Sequence, residues 1–296
     1  MAEYTINNGT ISITVKDKGA ELSSLKKTDK SGEKEYMWCA DPEFWGKSSP
    51  VLFPFVGRVC NNRYMHEGKV YDMPTQHGFA RDNTFTMINK TDKDIWFSFS
   101  SNEGTKKIYP FDFELQIGYE LMEDGVKVLW RVKNAGSGEM QFSIGGHPAF
   151  VCPDTLVDRE QCMVDFHTDK ASLISSIVDT KTGLCKHEER EIVLQDGKVP
   201  ATKELFEKDA LIIENNQTQA VSLVSPNGER FLTVSFDAPL FGVWTPPDKK
   251  APFICIEPWY GRCDYDDYKG ELSERPWNNT LEAGSEAVMS YTVTVQ

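Results

Sequence analysis

The sequence predicts an all-β protein, a sandwich or barrel of many short antiparallel strands, on three observations. Apolar and polar residues alternate with period two in one stretch after another. Asn-Gly and Asp-Gly pairs fall between those stretches. No stretch carries three clean turns of an amphipathic helix.

Residues 10–15, TISITV, put Ile11, Ile13 and Val15 on one face. Residues 95–100 (IWFSFS), 113–121 (FELQIGYEL) and 126–133 (VKVLWRVK) alternate in the same way, as do 231–236 and 288–295. Successive strand side chains point to opposite faces, so each segment buries one face and wets the other. Asn7-Asn8-Gly9, Glu67-Gly68, Glu123-Asp124-Gly125, Asp196-Gly197 and Asn227-Gly228 supply the positive φ of tight hairpins. Helix signals are confined to residues 41–45, where Asp41 caps and Pro42 starts one or two turns, and to a short turn within 200–208. The thin helix content and the lack of G-x-G-x-x-G and G-x-x-x-x-G-K exclude a dinucleotide-binding βαβ unit or a P-loop. Residues 170–204, the most polar region, read as surface strands and loops.

With 296 residues the chain has the length of two average domains, yet large β folds often run as one. Neither a linker nor a repeat interrupts it, so residues 1–296 are expected to form a single domain. The 32 Lys and Arg against 45 Asp and Glu leave a net charge of −13, which argues against nucleic-acid and anionic-membrane partners. No apolar stretch approaches the ~18 residues of a membrane span. The first twenty residues lack the basic start and apolar run of a signal peptide, so a cytoplasmic location is expected. Seven scattered cysteines without a C-x-x-C pair indicate reduced, mostly buried thiols rather than a zinc ribbon or a disulfide framework.

Chemistry is expected around two of the five histidines. His66 and His187 lie in charged turns, and His167 reads as a strand surface residue. His77 and His147 instead lie in glycine-containing loops beside aromatics, where backbone can approach a ligand closely. Each is equally readable as a hydrogen-bonded core histidine. Glu257 ends the apolar run Phe253-Ile254-Cys255-Ile256, and a carboxylate buried there must be paired or raised in pKa, as general bases often are. Arg58 ends a similar run from Val51 and can hold that carboxylate or grip a substrate oxygen. A metal site from His77, His147 and Glu257 is conceivable but weakly signalled, and H-E-x-x-H and G-x-S-x-G are absent. Trp38, Trp45, Trp244 and Trp259 can floor a sugar site by stacking, although each alone reads as core.

In order, LFPFVGR (52–58), HGFAR (77–81), IGGHPAF (144–150) and CIEPW (255–259) resemble the aldose 1-epimerases, or galactose mutarotases. With YPFDFELQIGYEL (109–121) and DALIIEN (209–215), the likeness is closest to the branch named for lactose-operon homologues and covers essentially the whole chain. The resemblance implies a single large antiparallel β-sandwich, the galactose mutarotase-like supersandwich, with a few short helical turns and a sugar site in an open cleft. It implies interconversion of α and β anomers without metal or organic cofactor. By motif, Glu257 takes the general-base position and His147 the general-acid position. His77 and Arg58 take substrate-binding positions and Asp209 that of a carboxylate on sugar hydroxyls; beside these, Arg81 and Trp259 are expected as further contacts to the sugar.

The sequence departs from the better-known galactose mutarotases at Gly146, where those have Asn, and at Pro258-Trp259 after the glutamate. These positions border the sugar, so a preference for galactose does not carry over. A hexose-6-phosphate 1-epimerase, with Arg81 and Arg63 on the phosphate, is the alternative within the fold. A non-catalytic carbohydrate-binding or sugar-sensing protein is the alternative outside catalysis. The partner expected is a small sugar, with a homodimer left open.

Overall fold

The computed structural model describes residues 1–30, 32–153 and 159–296. Two large antiparallel sheets dominate it. The first has nine strands in the order Lys198–Pro200, Met163–Asp165, Ala220–Val224, Arg230–Phe236, Glu286–Val295, Gly125–Asn134, Phe113–Leu121, Asp94–Ser100 and Thr86–Lys90. The second has eight, running Leu184–Val193, Ser172–Asp179, Leu211–Ile213, Leu240–Trp244, Phe253–Tyr260, Ile144–Gly146 and Val51–Leu52, with Ala149–Val151 also paired to Phe253–Tyr260. A four-stranded sheet, Glu3–Asn7 to Gly32–Glu35, packs into the same core through Ile11, Ile13 and Val15.

The period-two segments set which face of each sheet is buried. Phe113, Leu115, Ile117 and Tyr119 point into the core with Val126, Val128, Trp130 and Val132 of the neighbouring strand. The second sheet meets them with Leu211, Ile213, Phe241, Val243, Ile254 and Ile256. Its other face carries Ile212, Leu240, Trp244, Cys255 and Trp259, which belong to separate apolar clusters. Phe253–Tyr260 is therefore buried on both faces, which is why FICI reads as an unbroken apolar run. Glu257 shares the outer face with Cys255 and Trp259 by the same alternation.

One local expectation is met at its lower bound and one is corrected. Residues 41–45 make a single turn, with the amides of Phe44 and Trp45 donating to the Asp41 carbonyl, and no helix follows. The one α-helix among the described residues is Glu103–Ile108, held by a capping box in which Asn102 accepts from Gly104 and Thr105 amides. Within 200–208 a short 3₁₀ turn forms at Glu204–Phe206. Residues 170–204 contain the strands Ser172–Asp179 and Leu184–Val193. Among the described residues no helix is long and apolar enough to cross a membrane.

Candidate active site

A cavity of about 280 Å³ opens on the outer face of the eight-stranded sheet. That is smaller than the ~300–1,000 Å³ of sites for drug-sized ligands and suits a smaller molecule. Its lining includes His77, Arg81, His147, Asp209, Glu257 and Trp259. A larger cavity of about 670 Å³, lined by His66, Asp112, Glu139 and Glu271 among others, gathers no comparable pair of acid and base.

Glu257 sits mid-strand and is 1% exposed. His147 occupies the break between Ile144–Gly146 and Ala149–Val151, where its amide donates to the Pro50 carbonyl. Its Nε2 lies 3.4 Å from Glu257 Oε2. The pair is close but poorly aligned, and Glu257 Oε2 and His147 Nδ1 are both buried without a hydrogen bond to another protein group. Burial, then the charge of Asp209, pushes the Glu257 carboxyl well above its ordinary range. The Trp259 indole opposes that rise, but its Nε1–H makes no well-formed hydrogen bond. Burial, then the Arg81 charge, lowers His147 to about 3. Its ring stacks on Trp45 at 4.6 Å and meets the edge of Trp244 at 5.5 Å.

His77 and Asp209 both adopt left-handed backbone, each with φ 67°. Such conformations cost ~1–3 kcal/mol and persist where the surroundings enforce them. The Gly57 amide donates to His77 Nδ1 at 3.0 Å, leaving Nε2 as the protonated nitrogen of the neutral ring. Burial, Arg81 and His147 lower the His77 pKa well below its ordinary value. Burial raises Asp209, while the Ala210 amide, 2.7 Å from its Oδ1, opposes the rise.

Arg81 joins the lining through a guanidinium whose Nη2 donates to the Gln76 carbonyl at 2.8 Å. Arg58 does not join it. Its Nη1 donates to Asn62 Oδ1 at 3.0 Å, and its charge reaches His77 only as a minor influence. It does not hold Glu257, whose charged-group neighbour is His147. Arg63 is paired with Asp72 on an exposed hairpin, away from the cavity.

Trp259 lies flat against two glycines. A Cβ on Gly145 would stand 2.6 Å from its Cδ1, and one on Gly242 2.7 Å from its Cη2. Trp45 and Trp244 complete the aromatic wall, whereas Trp38 is buried among apolar residues. Gln76 and Cys263 also line the cavity and carried no sequence signal beyond the nearness of Gln76 to His77. His167 lies beyond the end of its strand and bonds Ser222, His187 pairs with Asp267 on the surface, and His66 packs on Phe111. For a metal, the set that converges is His147, Cys255 and Glu257, with ligand atoms within 4.8 Å of one another. Cys255 replaces His77 in the conceived set, because His77 Nδ1 is held by Gly57.

The family model for aldose 1-epimerase matches residues 2–282. The chain is 29% identical to the chromosomal LacX protein of Lactococcus lactis subsp. lactis over 302 residues, covering 98% of each chain. A galactose mutarotase related enzyme from Lactobacillus acidophilus superposes with TM-score 0.92 at 34% identity, over 100% of this chain and 97% of that one. A galactose mutarotase-like protein from Lactobacillus casei gives 0.91 at 29% identity, over 100% of both. On this match of sequence and fold, the chain belongs to the aldose 1-epimerase family, in its lactose-operon-like branch.

Proposed function

We propose that the protein interconverts the α and β anomers of a free aldohexose, with Glu257 and His147 as the proton-transfer pair. The observation that carries this reading is the 3.4 Å approach of two buried, oppositely tuned groups in one sugar-sized cavity. Mutarotation removes a proton from the C1 hydroxyl and delivers one to the ring oxygen. The ring opens to the aldehyde, the C1–C2 bond rotates, and the steps reverse on the other face. One proton on the pair is the count this chemistry needs. In the buried pair that proton rests on the Glu257 carboxyl beside neutral imidazole. Sugar hydroxyls that hydrogen-bond the carboxylate favour its transfer across the 3.4 Å gap to His147. Glu257 then acts as base toward C1 and His147 as acid toward the ring oxygen.

His77 Nε2, Arg81 and Asp209 are well disposed to orient the sugar oxygens, and Trp45, Trp244 and Trp259 to cover its apolar faces. A neutral sugar is favoured over a 6-phosphate. One guanidinium, Arg81, faces two carboxyl groups in the lining, and Arg63 is engaged elsewhere.

Anomer exchange followed by NMR or polarimetry for glucose, galactose, mannose, xylose and their 6-phosphates tests the reading. Acceleration with the free sugars supports it. Binding without acceleration leaves a sugar-sensing protein, and acceleration confined to 6-phosphates overturns the substrate class.

A further inference from the structure

Cys185 and Cys263 bring their sulfurs to 3.3 Å from opposite sides of the cavity wall. Cys185 lies at the start of Leu184–Val193, where its amide donates to the Asp264 carbonyl at 2.8 Å. Cys263 follows Phe253–Tyr260 and lines the cavity, whereas Cys185 is wholly buried behind it. The thiols pair with each other, far apart in sequence but adjacent in the fold. Beside them the Arg262 guanidinium lies over Tyr265 and 3.1 Å from Glu214. The shared hydrogen bond lowers Cys185 and, with burial, holds Cys263 well above the ordinary thiol value, while the Arg262 charge works toward the thiolate form of both.

Gly57 connects this pair to the candidate active site. A Cβ there would stand 2.5 Å from the Cys263 Cβ, so the Gly57 backbone rests directly against Cys263. The same Gly57 donates its amide to His77 Nδ1 and accepts from the His77 amide. A shift of Cys263 is thus transmitted to His77 through one residue.

We propose that Cys185 and Cys263 form a reversible disulfide when a small peroxide enters the cavity, and that closure slows the reaction at the site. The thiolate attacks one peroxide oxygen and the O–O bond breaks. The leaving oxygen takes the proton given up by that thiol, so a sulfenic acid forms with water or an alcohol. The second sulfur attacks the sulfenic sulfur, and its proton leaves with the hydroxyl as water. Two thiols are oxidised and one peroxide is reduced. Bonding requires the sulfurs to approach by about 1.3 Å, from 3.3 Å to the ~2.05 Å of a disulfide. Movement of Cys263 disturbs its contact with Gly57, and a misplacement of ~1 Å at an active site costs up to ~10²-fold in rate.

The test treats the reduced full-length protein with hydrogen peroxide and maps its peptides by mass without reduction. The expected result is a Cys185–Cys263 linked peptide, removed by dithiothreitol. Anomer exchange should fall by about ten-fold or more and return on reduction. Cys185→Ser should keep its exchange and lose its sensitivity. Should that variant fail to fold, Cys185→Ala serves in its place, and the linkage in the unaltered chain is read without either. Oxidation that links no peptide containing both residues overturns the proposal, and linkage with undiminished exchange overturns the coupling through Gly57. The mass reading stands whether or not the epimerase reading does; the rate reading rests on it.

Discussion

His147 Nε2 stands 3.4 Å from Glu257 Oε2 with neither group open to solvent. If these two exchange the protons of ring opening, Glu257→Gln keeps the shape of the site and removes its base. Anomer exchange should then fall by ~10²–10⁴-fold, the usual contribution of one general acid or base. Sugar affinity by calorimetry should stay within a few-fold, with the melting transition showing that the variant is folded. Normal exchange by Glu257→Gln would remove this carboxylate from the mechanism.

The same pair sets the dependence of rate on pH. The site works while the two groups hold one proton between them. A second proton is taken up only toward the lowered His147 value of about 3, and the shared one is lost only above the ordinary carboxylate range. The profile of kcat/KM should therefore show no acid limb near the ordinary imidazole value of 6.5. An acid limb centred there would mean that His147 titrates as a solvated ring.

Arg81 and Arg58 offer a direct comparison. Arg81 lines the cavity, while Arg58 is turned to Asn62. A charge-assisted hydrogen bond to a sugar oxygen is worth ~1.5–3 kcal/mol, so Arg81→Ala should weaken sugar binding by ~10–150-fold. Arg58→Ala should change it much less. Calorimetry on both variants checks the order, and the reverse order would make Arg58 the contact to the sugar.

The two arginines also mark where the sequence stops being informative. Alternation alone places Val126, Val128, Trp130 and Val132 in the core, because one face of that strand is wet. It is silent along FICIEPW, where both faces are covered and nothing in the pattern says which side Glu257 takes. The family motifs supply that residue's position, but not the direction of a long side chain: Arg58 and Arg81 each end a motif, and only one enters the cavity. The helix Glu103–Ile108 escapes notice because six residues are too short for an amphipathic period, and its signal is the Asn102 cap. Trp45 and Trp244 read as core because an aromatic that lines a half-covered cavity looks, in sequence, like one that fills a core.

Gly242 tests the seat of Trp259. Its backbone needs no left-handed conformation, so an added methyl acts only on the indole 2.7 Å away. Overpacking of this kind costs ~1–3 kcal/mol, and a tilt of the ring into the cavity should lower sugar affinity as well as the melting temperature. The double variant Gly242→Ala, Trp259→Phe, with a smaller ring, should recover stability. Unchanged affinity in Gly242→Ala would show that the indole face is not part of the sugar site.

Burying an acid and a base without their charges also leaves a mark on stability. His147 is lowered from 6.5 to about 3, so between those values the unfolded chain binds its proton more readily and stability rises with pH. Glu257 is raised above 4.5, so from there upward the folded chain holds the proton more tightly. Its contribution is fully present below 4.5 and is lost as pH rises toward the folded value. Between 4.5 and its folded value the carboxyl acts against the fold as pH rises. Glu257→Gln, which cannot ionise, should therefore gain stability relative to the unaltered chain as pH rises from about 4.5. Urea unfolding of the two proteins at a series of pH values from about 5 upward measures the margin. A difference that stays constant from about pH 5 upward would mean that Glu257 titrates in the folded chain as it does in the unfolded one, and that the low-dielectric site required for the proposed proton transfer is not there.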